Sequence, residues 1–150
     1  MSEMNDTVDP TELQKIVDSH DFLSWLGLAV ETADRGSVEL SLVDDDRFRN
    51  PFPGNQGPIH GGITATLVDT ASGFVLRTTF DDPLEATLTT TDLDVSYLEP
   101  ATGDVRIEAE VVRAGGTVGV ADVTVSSAHD EGGERPIAVG RATYRLFRDA

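Results

Sequence analysis

Cysteine is absent from this 150-residue chain, and lysine occurs once, at Lys15. Without cysteine the chain can form neither a disulfide framework nor a thiolate metal site, and it has no thiol nucleophile. Lysine and arginine together number 11 against 27 aspartates and glutamates, which gives a formal net charge of −16. Because binding to phosphates needs a basic surface, we expect neither nucleic acid nor an anionic membrane as a partner.

Long apolar runs are also missing. None reaches the roughly 20 residues that a membrane span needs, and the acidic segment 1–9 does not resemble a signal peptide. The sequence therefore predicts a soluble, cytoplasmic protein. Such a large acidic surplus destabilises a compact state at low ionic strength, so we interpret it as a halophilic adaptation. An ordinary acidic protein is the alternative.

The remaining pattern predicts one α+β domain. Asp9-Pro10 has the form of a helix N-terminus, and Gly27 ends a second short apolar stretch. Segment 43–59 has no usable period and is predicted to be a loop, whereas 61–76 has helical period. Strand-like segments lie at 28–32, 37–43, 84–97, 105–111, 117–127 and 137–147. Strands joined by hairpins around one long helix indicate an antiparallel sheet packed on that helix, with edges and a face left for a partner subunit.

His60-Gly61-Gly62 stands where the predicted loop becomes the long helix. The first N–H groups of a helix have no internal partner and carry the positive end of its dipole. Such a terminus can hold an oxyanion that develops when a carbonyl is attacked. A simple loop hinge is the alternative interpretation.

Asp69 lies two turns into the same helix, on a face where its neighbours are small. These neighbours are Ala65, Thr66, Ser72 and Gly73. A ligand or another chain could approach such a face closely, and a partly desolvated carboxylate there suits a general base or nucleophile. One more surface acid is the alternative. Thr90, on the strand parity of Asp92, could hold a water, and Asn50 or Asn55 could offer an amide donor to a carbonyl.

The segment from His60 to Asp69, with its spacing of nine, closely resembles the signature of hot-dog fold acyl-CoA thioesterases of the phenylacetic-acid-degradation (PaaI-like) subgroup. Tyr97-Leu98-x-Pro100 supports the resemblance. The resemblance implies a long helix wrapped by an antiparallel sheet. It also implies a homodimer or homotetramer with active sites at the protomer interface. On this basis we divide the chain into an N-terminal segment, 1–20, with a short helix, and a hot-dog thioesterase domain, 21–150.

The resemblance also implies roles for particular residues. The Gly61 N–H would bind the thioester carbonyl, the partner subunit's Asp69 would activate water or attack directly, and Thr90 would assist the water. His60 and Gly62 would bind substrate beside them. The chain departs from the family pattern where an asparagine usually stands six residues before the histidine. Gly54 occupies that position, which leaves Asn50 and Asn55 as the candidate amides.

A second departure lies after the hairpin glycine that follows Arg113, where the family tends to carry a basic residue. Gly116 and Thr117 stand there, so a phosphate contact to the CoA nucleotide is either lost or made by Arg113.

The expected function is hydrolysis of acyl-CoA thioesters to free acid and CoA, with no cofactor and no metal. The alternative is a non-catalytic hot-dog protein that binds acyl thioesters, and a third interpretation is a dehydratase or isomerase that uses His60. A binder has no need for an intrahelical carboxylate, so Asp69 favours the enzyme. The acyl group, and whether its carrier is CoA or a protein, stay open.

Overall fold

A 17-residue helix lies against one face of a six-stranded antiparallel sheet. The computed structural model describes residues 7–128 and 133–148. Its helices are α1 (Pro10–Ser19), α2 (Asp21–Leu26) and α3 (Gly61–Arg77). Its strands are β1 (Ala29–Asp34), β2 (Ser37–Leu42), β3 (Arg49–Phe52), β4 (Asn55–Ile59), β5 (Thr87–Tyr97), β6 (Val105–Ala114), β7 (Val118–Ala128) and β8 (Glu134–Phe147). The large sheet has the order β1-β2-β6-β7-β8-β5, and β3 and β4 form a separate hairpin.

Helix α3 forms the centre of the core. It contacts β2, β5, β6, β7 and β8. Of the apolar face that the sequence predicts, Leu67, Ala71 and Phe74 are buried, and Ile63 packs half-buried at its edge. The α+β prediction is confirmed, as is the hot-dog arrangement of one central helix within an antiparallel sheet. Among the described residues, no helix is both long enough and apolar enough to cross a membrane.

Helix α1 begins and α2 ends where the sequence predicts, and the break between them at His20 is not predicted. The Asp9 carboxylate accepts a hydrogen bond from the Thr11 N–H at 3.0 Å, so it caps α1. Gly27 ends α2 with a φ of 77°, a left-handed conformation that glycine adopts without steric cost. Leu13 and Val17 of α1 lie in the same core as the sheet. The division at residue 20 stays a prediction.

The prediction of a loop over 43–59 is wrong in part. A short 3-10 turn, Asp46–Phe48, leads into the β3–β4 hairpin, and Gly54 turns that hairpin with a φ of 84°. The Arg49 guanidinium holds the hairpin in place by an ion pair with Asp44 and hydrogen bonds to the carbonyls of Gly57 and Thr102. Proline and glycine within such short strands hide their period, and one of the contacts that hold the hairpin is to a backbone carbonyl 53 residues away.

Strand β5 contains a bulge that changes which side chains face α3. Thr90 lies opposite Tyr144 of β8, but the register then shifts, and Asp92 lies opposite Thr143. The extra residue, Thr91, reverses the alternation of faces along the strand. Thr90 therefore faces α3. Regular alternation along the strand, which the sequence prediction assumes, would place Thr90 on the same face as Asp92.

Candidate active site

The N-terminus of α3 is built from its own first residues and one tyrosine. The His60 Nδ1 accepts a hydrogen bond from the Gly62 N–H at 2.8 Å, and thereby caps the helix. The Tyr97 hydroxyl donates to the Gly61 carbonyl oxygen at 2.6 Å. The Gly62 N–H is therefore already engaged in capping the helix. The Gly61 N–H is the first backbone donor of the helix, where no intrahelical acceptor exists.

Asp69 is half-buried and lies among hydroxyl groups. Its Oδ1 accepts hydrogen bonds from Thr90 Oγ1 at 2.7 Å and from the Tyr144 hydroxyl at 2.7 Å. The Tyr144 hydroxyl also lies 2.6 Å from the Asp69 backbone carbonyl. The structure thus brings together Thr90 and Asp69, to which the family resemblance gives roles on the same water, and adds Tyr144, which sequence reasoning missed.

Tyr144 could have been found from its position in the last strand. It shares the inward parity of β8 with Ala142 and Leu146, and a phenol that faces a core needs a hydrogen-bond partner. Burial raises the pKa of Tyr144 well above its ordinary value, and the hydrogen bond to Asp69 acts in the same direction. The hydroxyl therefore keeps its proton near neutral pH and serves as a donor.

A cleft of about 250 Å³ opens beside Asp69. Apolar side chains from α1, α2, α3 and β5 line much of it: Ile16, Leu23, Phe74 and Leu88. His20 and His129 have no other ligand residues at metal spacing in the sequence, which predicts both on the surface. His20 is exposed at this cleft and caps α2 through its Nδ1. His129 lies outside the described residues. The cleft combines an apolar wall with one carboxylate, the Arg77 side chain and several hydroxyls, which suits a substrate with an apolar chain and a polar reacting group.

A second cleft, of about 360 Å³, lies at the start of α3. Gly61, Asn50 and Tyr97 line it together, so the structure brings Asn50 to the helix N-terminus. Asn55 begins β4 at the exposed turn of the hairpin and does not line this cleft. Arg113 lines neither cleft. It lies near the β6–β7 turn, toward the C-terminal end of α3, since Gly119 of β7 packs on Leu76.

The two parts of the candidate site are separated along one helix. Gly61 and Asp69 are eight residues apart on α3, which is about 12 Å along the helix axis. One thioester carbonyl cannot contact both groups of the same chain. The functional roles of these residues stay predictions.

Comparison with known proteins identifies the family. The model of the "Thioesterase superfamily" matches residues 56–134, which include the whole of α3 and the hydroxyl-bearing strand β5. The chain belongs to the thioesterase superfamily. The family expected from the His60-to-Asp69 motif is thereby confirmed.

Relatives within this superfamily support the assignment. The chain is 45% identical over 139 residues to a protein of Halobacterium salinarum that carries a provisional esterase name, with 91% of each chain covered. It is 34% identical over 121 residues to human acyl-coenzyme A thioesterase 13, with 79% of each chain covered. A thioesterase family protein from Silicibacter pomeroyi has the same fold, with a TM-score of 0.79, 28% identity, and coverage of 93% of this chain and 98% of that one.

Proposed function

We propose that this protein hydrolyses acyl-CoA thioesters to the free acid and CoA. The observation that carries the proposal is the Asp69 carboxylate, whose Oδ1 is held by two hydroxyl donors at the edge of a partly apolar cleft. Fixing one oxygen leaves Oδ2 to act on the substrate. The named acyl-CoA thioesterase among the relatives supports CoA as the carrier.

The reaction needs a donor for the oxyanion and a carboxylate for the attack. The Gly61 N–H, at the positive end of α3, would bind the carbonyl oxygen as it gains charge. Asp69 Oδ2 would either take a proton from the attacking water or attack the carbonyl carbon itself, forming an anhydride that water then hydrolyses. In both routes the C–S bond breaks, CoA leaves as the thiol after protonation, and the acyl group leaves as the acid.

The alternatives fit the site less well. A protein that only binds thioesters gains nothing from two hydroxyls that orient a carboxylate. A dehydratase or isomerase needs His60 beside the acid. The His60 Nδ1 is instead engaged by the Gly62 N–H, as the cap of α3.

We infer that a second copy of the chain completes each site, as a homodimer or as a homotetramer of two dimers. Gly61 of one protomer would meet the partner subunit's Asp69, because about 12 Å separates the two groups within one chain. Strand β5 supports such pairing: it is an 11-residue edge strand, mostly exposed, and its Tyr97 is 55% exposed.

A complementation experiment tests the shared site. Gly61→Pro removes the proposed oxyanion donor, yet proline is favoured at the first helical position and His60, at φ −55° and ψ 132°, already has the conformation required before proline. Gly61→Pro and Asp69→Asn proteins, each inactive alone, are unfolded and refolded together. Random pairing should restore about a quarter of wild-type activity, since half of the dimers are mixed and each holds one intact site.

Gly61→Ala is the matched control. It keeps the N–H, and its Cβ would meet Tyr97 at an ordinary contact distance of 3.4 Å, so activity should be retained. No recovery in refolded mixtures of the two variants, or a fully active monomer by light scattering, would contradict a site shared between protomers.

A thiol-release assay tests the activity itself. Purified protein in molar KCl is given aryl-CoA and aliphatic acyl-CoA esters of graded length, together with acyl carrier-protein thioesters of the same acids. We expect release of one free thiol and one carboxylic acid per turnover, with CoA esters preferred. Molar salt also screens the repulsion between an acidic protein and the CoA phosphates. Binding of these esters without any hydrolysis would instead establish the non-catalytic alternative.

A further inference from the structure

Tyr144 reaches Asp69 only because position 73 is a glycine. Gly73 is buried in the middle of α3, one turn after Asp69. A Cβ built on Gly73 would lie 2.8 Å from the Tyr144 hydroxyl oxygen, and 3.2 Å and 3.3 Å from two of its ring carbons. Glycine in a helix interior is unfavourable relative to alanine, so its presence here calls for a local reason. The approach of the phenol to the helix supplies that reason.

The β5 bulge fixes the position of the second hydroxyl that contacts Asp69, that of Thr90. The register places Thr90 directly across from Tyr144, so both hydroxyls arrive on the same side of Asp69. Both point to the same carboxylate oxygen, Oδ1, at 2.7 Å. Hydrogen bonds to a charged acceptor are stronger than those to a neutral carbonyl, so the single phenol proton is directed to the carboxylate when Asp69 is ionised.

We propose that Tyr144, admitted by Gly73, is a positioning residue that fixes Asp69 Oδ1 so that Oδ2 faces the thioester. This inference rests on the proposed function. Tyr144 touches no reacting atom in this scheme; it acts through the orientation of the carboxylate. A site held to within a few tenths of an ångström depends on such supporting contacts.

Tyr144→Phe is the first test. It removes only the hydroxyl and keeps the ring that packs in the core. We expect kcat to fall roughly 10-fold, because one of two hydrogen bonds to a charged group is lost, whereas KM stays within about 2-fold. A purely structural role would lower thermal stability without this separation of kcat from KM. Thr143→Val, which removes the neighbouring hydroxyl on the opposite face of β8, should leave both parameters unchanged.

Gly73→Ala gives an independent test, since its Cβ displaces the phenol without altering Tyr144. Its kcat should fall to a similar extent. Combined with Tyr144→Phe, the Gly73→Ala change should cost little more than Tyr144→Phe alone, because both act on one contact. Losses that multiply, or a Tyr144→Phe protein with wild-type kcat, would overturn the proposal.

Asp69→Asn, assayed in parallel, separates this inference from the proposed function. Activity retained in Asp69→Asn removes the carboxylate mechanism and this inference with it. Activity lost in Asp69→Asn but kept in Tyr144→Phe and Gly73→Ala removes the inference alone. Should Tyr144→Phe fail to fold, the kcat of Gly73→Ala decides the outcome.

Discussion

Replacement of Asp69 by asparagine is expected to lower kcat by roughly 10²-fold or more while leaving the fold intact. The amide oxygen of asparagine can occupy the position of Oδ1 and accept the same two hydrogen bonds, from Thr90 and Tyr144. The amide nitrogen takes the place of Oδ2, and it can neither accept a proton from water nor attack a carbonyl carbon. The change therefore removes the chemistry and keeps the local contacts.

The measurement is kcat by thiol release, with circular dichroism and thermal melting to show that the variant is folded. Asp92→Asn is the matched control. Like Asp69→Asn, it replaces one aspartate by asparagine. Asp92 is exposed and lies on β5, the strand of Thr90, but beyond the bulge. Its activity should stay close to that of the wild type. Turnover near the wild-type value in folded Asp69→Asn protein would remove the central claim of the mechanism.

Stability and activity are expected to rise together as KCl increases from about 0.1 M to about 2 M. The chain carries a formal charge of −16, and unscreened repulsion opposes both folding and the pairing of protomers. On the outer face of the sheet, Glu108, Glu110 and Asp122 line one shallow depression. Arg106 pairs with Glu108 and Arg141 with Asp122, whereas Glu110 forms no ion pair within the described part of the chain. The Debye length falls from about 10 Å at 0.1 M to about 3 Å at 1 M, so molar salt suppresses most of this repulsion.

Thermal melts across a KCl series measure the effect, and light scattering on the same samples reports assembly. Glu110→Gln provides an internal check, because Glu110 is exposed, lies opposite Asp122 and shares the depression with Glu108. The change should raise the melting temperature at low salt and have little effect at high salt. Flat or falling stability across the series would mean that the acidic surface is not a salt adaptation.

Local signals in the sequence were sufficient for the start of α1, the end of α2 and the extent of α3, and they single out Asp69 as the candidate carboxylate. Asp9 and Gly27 act on their own backbone neighbours, and the period of α3 depends on residues within a few turns. Asp69 stood out for the same reason, since small residues at helical spacing mark one face of one element. Such features are fixed by contacts that are short in sequence.

Features that depend on distant contacts could not be predicted in this way. The β3–β4 hairpin is held in part by a hydrogen bond from Arg49 to the Thr102 carbonyl oxygen. Its proline and glycine residues hide the alternation of its side chains. The side chain of Thr90 faces α3 because of a one-residue bulge, which no parity count reveals. Tyr144 meets Asp69 across 75 positions of the chain, and only the packing of α3 on β8 brings the two together.

Helix α3 has a further consequence for the proposed dimer. The same rigid element carries the donor of one site at its first residue and the carboxylate of the other site two turns later. A bulky acyl group that shifts the helix along its axis in one site would move the carboxylate of the other by the same distance. The two sites would then be thermodynamically linked, so that occupancy of one changes the affinity of the other and the linkage acts equally in both directions.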